Sequence, residues 1–191
     1  MAFYPDERIA ILIDGSNLHS TSKALDYNID YNKLLDLFRS KGRLITANYY
    51  TALIEHDDYS PIRPLIDWLE YNGFHIITKK AREYTDRDGR RRIKGNMDIE
   101  MVVDMINMAD HIDHILLFTG DGDFRAALRE VQRRGTRVTV VSTLKSKPPM
   151  LSDELRRQAD ALIDLMDMGP LIGRPKAKSS DYEDVDFDED E

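Results

Sequence analysis

The sequence predicts an α/β protein, a Rossmann-like three-layer sandwich around a central, mainly parallel sheet. Two near-continuous apolar runs, Arg8 to Ile13 and Asp113 to Phe118, have the pattern of strands buried on both faces. Amphipathic helical stretches alternate with them, as right-handed β-α-β crossovers require. Both runs stop abruptly at turns rich in Asp and Gly, which are Asp14-Gly15-Ser16-Asn17 and Thr119-Gly120-Asp121-Gly122-Asp123.

The elements follow in order. After the first strand a helix runs through Leu25, and Leu34, Leu35, Leu37 and Phe38 mark a second helix over Tyr31 to Arg39, stopped by Gly42. Arg43 to Leu53 is strand-like. Ser60-Pro61 opens a third helix, with Ser60 as N-cap, Pro61 in the first turn and Ile62, Leu65, Ile66 and Leu69 on one face before Gly73. Phe74 to Thr78 is a strand, and Asp86 to Gly89 reads as the turn of a hairpin or long loop. A helix starts near Asn96. Beyond the Asp113 to Phe118 strand lie a helix over Phe124 to Arg134, a β-branched strand over Thr136 to Ser142, a break at Pro148-Pro149, a short helix over Leu151 to Ala159 and a last strand over Ala161 to Leu165.

The length of 191 residues suits one domain, expected over residues 1–169, followed by a disordered tail over 170–191. The longest uncharged apolar runs, Ile9 to Ile13 and Ile115 to Phe118, are too short for a membrane span or a secretory signal. Without cysteine there is no thiol nucleophile, disulfide or Cys-ligated zinc, and the cytoplasm is the expected location.

The net charge of −8 is unevenly distributed. Residues 181–191 carry eight acids and no base, so the other 180 residues hold 27 charges of each sign. Within that neutral part, Lys79 to Lys94 contains Lys79, Lys80, Arg82, Arg87, Arg90, Arg91, Arg92 and Lys94 against three acids, a patch suited to a polyanion. The tail reads as a solubilising extension, an autoinhibitory strap on the basic hairpin, or a contact for a protein partner's basic face.

In parallel α/β sheets ligands bind beyond the carboxyl ends of the strands. There this chain has Asp14, Asp121 and Asp123 and no phosphate-cradling glycine motif. Singly, each acid is explained as a cap of the following helix. Together they suit a hard divalent cation, which attracts phosphate and polarises water. A fourth acid, Asp98, lies within about 60° of Met101, Val102, Met105 and Ala109 on a helical wheel, in the core stripe at the first turn of its helix. Asp104 lies about 120° from Asp98 and reads as a solvated or supporting acid.

These residues resemble the NYN domains, LabA-like members of the PIN-like nuclease superfamily, over Arg8 to Leu165. The resemblance rests on Asp14-Gly15-Ser16-Asn17 after a strand, Lys94-Gly95-Asn96-Met97-Asp98 opening a helix, and Thr119-Gly120-Asp121-Gly122-Asp123-Phe124 after another strand, with Thr119 where Ser is commoner. It implies a PIN-like sheet and cleavage of RNA with Mg²⁺ or Mn²⁺. Carried over by position, Asp14, Asp98, Asp121 and Asp123 would form the acidic metal centre, with Asn17 and Thr119 as polar helpers. Lys94 and the hairpin, with Arg90, Arg91 and Arg92, would steer a single-stranded backbone by phosphate contacts. A homo-oligomer is also compatible. Rival readings are a catalytically silent RNA-binding or regulatory module, and a phosphatase for small molecules.

Other motifs have plainer explanations. Asp86 to Gly89 lacks the later ligands of a calcium loop. His111 and His114 have no third ligand and read as loop-end histidines, and His19, His56 and His75 have no partner pattern. Met97, Met101, Met105 and Met108 have helical core spacing, and Trp68 and Tyr71 end a helix.

Overall fold

The two apolar runs become neighbouring strands in the middle of one sheet. The computed structural model describes residues 3–54, 62–85 and 91–174, leaving aside the side chains of residues 54, 82–85 and 91–94. Its elements are β1 (Arg8–Asp14), α1 (Gly15–Ala24), β2 (Asn28–Ile29), α2 (Tyr31–Arg39), β3 (Arg43–Ile54), α3 (Arg63–Tyr71), β4 (His75–Thr85), β5 (Arg91–Lys94), α4 (Asp98–Met108), β6 (His114–Phe118), a 3₁₀ turn (Gly122–Phe124), α5 (Arg125–Arg133), β7 (Arg137–Ser142), α6 (Asp153–Gln158), β8 (Ala161–Asp164), α7 (Leu165–Ile172) and β9 (Gly173–Arg174).

The main sheet has the order β5-β4-β3-β1-β6-β7-β8. Six strands are parallel, and β5 pairs antiparallel with β4 at one edge. Alternation along β1 explains why its sequence is apolar throughout. Ile9, Ile11 and Ile13 join a core with residues of α1, α2, α3 and α7, while Ala10 and Leu12 face a second core with α4, α5 and α6. The expected three layers are therefore present, with β1 fully sandwiched between them.

Several boundaries differ from expectation. The third helix starts at Arg63 with Pro64 in its first turn and no side-chain cap, while Ser60 and Pro61 lie outside the described residues. The fourth strand extends to Thr85 because β5 pairs with it from Arg82 onward, and the turn between them lies outside the described residues. The chain beyond residue 169, expected to be tail, is helical to Ile172 despite Pro170, and β9 then pairs with β2. Tyr27 fastens this end, its hydroxyl donating to the Leu165 carbonyl at 2.6 Å. Residues 175–191, including the whole acidic run, lie outside the described residues. No described helix is long and apolar enough to cross a membrane.

His114 is no loop-end histidine. It is fully buried at the start of β6, bonded through Nε2 to Thr139 Oγ1 at 2.8 Å, with Arg137 and Glu7 on its Nδ1 side. Burial, then the Arg137 cation, pushes its pKa down to about 4 against the opposing pull of Glu7. An unfolded chain takes up this proton near its ordinary 6.5, so between there and about 4 the unfolded state binds more protons and stability falls as pH falls. We expect a loss of about 1–3 kcal/mol over that window, and a flatter pH dependence in His114→Gln. Asp14, whose buried carboxyl is shifted upward and contributes with the opposite sign, is common to both proteins and cancels in the difference. Equal slopes in thermal melts of the two proteins would refute the assignment.

Candidate metal centre

The switch in strand order falls between β1, whose chain continues to β3 on one side, and β6 on the other. Crevices of this kind are where α/β sheets bind ligands. Ile13 pairs with Phe118, so the next residues, Asp14 and Thr119, emerge side by side at the carboxyl end of the sheet. From the other core layer α4 brings in Asp98. Its approach is fixed by Gly95, where a Cβ would stand 2.8 Å from the Ala52 Cβ and 3.2 Å from the Ala81 Cα, so the chain turns directly against β3 and β4.

Asp98, Asp121 and Asp123 converge. One carboxylate oxygen from each lies within 4.8 Å of the others, with Asp98 and Asp121 half-buried and Asp123 exposed. Asn96 Nδ2 donates to Asp98 Oδ2 at 2.8 Å. Asp121 caps the 3₁₀ turn, its Oδ1 accepting from the Asp123 amide at 2.9 Å, so one loop conformation fixes two of the three acids. No described Lys or Arg lies within ion-pair distance of Asp121 or Asp123. Three clustered carboxylates repel one another unless a cation or proton intervenes, and an all-oxygen set suits a hard divalent ion.

Asp14 is not part of that group. It is 7% exposed and caps α1, with Oδ1 accepting from Ser16 N at 3.1 Å, Ser16 Oγ at 2.8 Å and Asn17 N at 3.1 Å. Its Oδ2 accepts from Thr119 Oγ1 at 3.3 Å. Burial raises its pKa, and these hydrogen bonds oppose the shift. Thr119 also accepts from the Asp121 amide at 3.3 Å, and Asn17 Oδ1 accepts from the Gly120 amide at 3.0 Å. Both side chains are buried, at 0% and 4% exposure, and hold the two acidic loops together.

Gly120 is the tightest point. A Cβ there would fall 1.6 Å from the Met150 carbonyl oxygen, and its own carbonyl accepts from the Ser152 amide at 2.9 Å. The loop carrying Asp121 and Asp123 is thus pressed onto the segment leading into α6.

The side chains of Arg91, Arg92 and Lys94, and all of Arg90, lie outside the described residues. From the same basic stretch, Lys79 is paired with Glu100 of α4 at 3.1 Å. Two further acids meet the elements that carry the site. Asp104 accepts from the Tyr50 hydroxyl at 2.8 Å, which in turn accepts from Asn48 Nδ2 at 3.1 Å, so this acid ties α4 to β3. Glu154 stands beside the acidic loop, with a carboxylate oxygen 4.0 Å from where a Gly122 Cβ would lie. Of the two readings its position on the helical wheel left open, Asp104 takes the supporting one, whereas Glu154, 33 residues from Asp121, left no signal in the sequence.

Comparison with known proteins places the chain in a family. The NYN domain family model matches residues 8–167. The chain is 36% identical over 176 residues to the low amplitude and bright protein LabA of Synechococcus elongatus, covering 90% of each. It is 28% identical over 160 residues to an uncharacterized protein of Methanocaldococcus jannaschii, of whose length it spans 55%. Among solved structures, a Vibrio parahaemolyticus protein of unknown function superposes with a TM-score of 0.67 at 28% identity, over 86% of this chain and 96% of that one.

Proposed function

The chain belongs to the NYN domain family, within the PIN-like nuclease superfamily, and from its acidic cluster we propose a divalent-metal-dependent ribonuclease that hydrolyses RNA phosphodiester bonds. The observation that carries this reading is the convergence of Asp98, Asp121 and Asp123 at the switch point of the sheet. Asp98, Asp121 and Asp123 would hold Mg²⁺ or Mn²⁺, with Asp14 supporting them from behind. An ion held there supplies Lewis acidity to the attacking water and to the scissile phosphate.

The chain's own residues do the positioning. Asp14 and Thr119 couple the end of β1 to the loop after β6, and Asn17 fixes the Gly120 amide, so the loop of Asp121 and Asp123 is held against β1 by the chain itself. Asp123, exposed at the rim, faces incoming substrate, while half-buried Asp98 and Asp121 form the floor. In the net reaction a water oxygen forms a new bond to phosphorus, the bond to the leaving ribose oxygen breaks, and the water's proton ends on that oxygen. Lys94 and the hairpin arginines Arg90, Arg91 and Arg92 are assigned to steering single-stranded substrate on charge alone.

End-labelled single-stranded RNA and a matched DNA, incubated with the protein in Mg²⁺, Mn²⁺ or EDTA, test the reading. RNA is expected to be cut only with metal. Cutting that persists in EDTA contradicts it, and RNA binding with no cutting under any condition favours a silent RNA-binding module.

A further inference from the structure

The exposed face of α5 is a row of arginines that starts at the acidic centre. Arg125 follows directly on the 3₁₀ turn that contains Asp123, and Arg129 and Arg133 repeat at four-residue steps. Four residues of helix bring a side chain back to nearly the same face, so all three point away from the buried Ala127, Leu128 and Val131. Each is exposed, and none has an ion-pair partner among the described residues. Two other arginines nearby are already engaged. Arg134 pairs with Glu130 at 3.2 Å and approaches Asp110 at 3.8 Å, and Arg157 lies 3.8 Å from Asp153.

A second helix extends the surface. Gln158 Nε2 donates to Gln132 Oε1 at 2.7 Å, and Gln132 Nε2 donates to the Gln158 carbonyl at 2.9 Å, which fastens α6 beside α5 and sets the exposed Arg156 on the same layer. Every basic residue of α5 and α6 is arginine and none is lysine. A guanidinium is less strongly hydrated than an ammonium and offers a planar fork to phosphate oxygens. From Arg125 to Arg133 the helix rises about 12 Å. At the roughly 3.4 Å axial rise of a stacked strand, that is the length of three to four nucleotides.

The geometry points to Arg125, Arg129 and Arg133 as a phosphate track that carries the single-stranded RNA backbone away from the metal centre along α5. This rests on the ribonuclease reading and gives its substrate a direction, on an element other than the β4–β5 hairpin. The track recognises charge and spacing, not base identity, so affinity grows with strand length and falls with salt.

The test compares the full-length protein with Arg125→Gln/Arg129→Gln/Arg133→Gln and with Arg129→Gln alone, measuring fluorescence anisotropy of labelled oligouridine in EDTA over a range of salt. Because all three positions are exposed, unchanged melting temperatures are expected. The triple variant should bind a decanucleotide at least about tenfold more weakly, with a plot of log affinity against log salt shallower by about 2, and the single variant by about 0.7. The advantage of the decanucleotide over a dinucleotide should shrink in the triple variant. If the native protein binds and cuts RNA but both variants keep its affinity and salt slope, the track is wrong and the ribonuclease reading stands. If the native protein binds no RNA, both fall together.

Discussion

Asp121→Asn is expected to lower metal-dependent RNA cleavage by at least about 100-fold while leaving the fold intact. Asparagine keeps the acceptor that caps the 3₁₀ turn, so the bond from the Asp123 amide survives the substitution. What disappears is one negative charge of three whose oxygens lie within 4.8 Å of one another. Without metal that removal relieves repulsion, so the melting temperature in EDTA should equal or exceed that of the native protein. Asp98→Asn should lower cleavage to a similar extent, since its carboxylate comes from a different element and meets the other two at the centre. A variant that melts normally and retains cleavage within threefold of native would remove its residue from the site.

Gly120→Ala is the second large effect, and it acts through the backbone. The added carbon would lie 1.6 Å from the Met150 carbonyl oxygen, itself held by Ser142 Oγ at 3.0 Å. The clashing atom is backbone and not the free end of a flexible side chain, so one of two packed loops must move. We expect a loss of about 3 kcal/mol or more, equivalent to roughly 6–12 °C in melting temperature for a protein of this size. Cleavage should fall even below the melting transition, because the displaced loop carries Asp121 and Asp123. A melting temperature within about 2 °C of native would mean that the two segments are more loosely packed than the structure has them.

How legible this was from sequence differs from residue to residue. Asp14, Asp121 and Asp123 were visible because continuous apolar runs mark buried strands, and whatever ends such a run stands at the rim of the sheet. Asp98 was visible from helical periodicity, as an acid on the side of Met101 and Met105, both fully buried. The same strand-end signal is nevertheless not selective. Asp164 ends β8 and caps α7 just as Asp14 ends β1 and caps α1, yet it accepts from Thr143 Oγ1 and the Leu144 amide at the edge of the sheet, and no acidic cluster forms there among the described residues. What separates the two is strand order, which a single sequence does not spell out.

Non-local contacts account for most of the remainder. Asp104 acquired its role from Tyr50, 54 residues earlier, and His114 from Glu7, Arg137 and Thr139. The β2–β9 ribbon is two residues deep and too short to leave a periodic trace. The arginines of α5 stand at regular spacing in the sequence, but the basic charge is denser between Lys79 and Lys94. Only the burial of the opposite helix face and the position of Arg125 next to Asp123 separate a track from a solvated surface.

The metal centre itself is tested most directly by titrating the native protein, Asp98→Asn and Asp121→Asn with Mn²⁺ and following the free ion by electron paramagnetic resonance. Saturable binding to the native protein is expected, weakened at least about tenfold in each variant. Equal Mn²⁺ binding by all three proteins, or none by the native one, would contradict it.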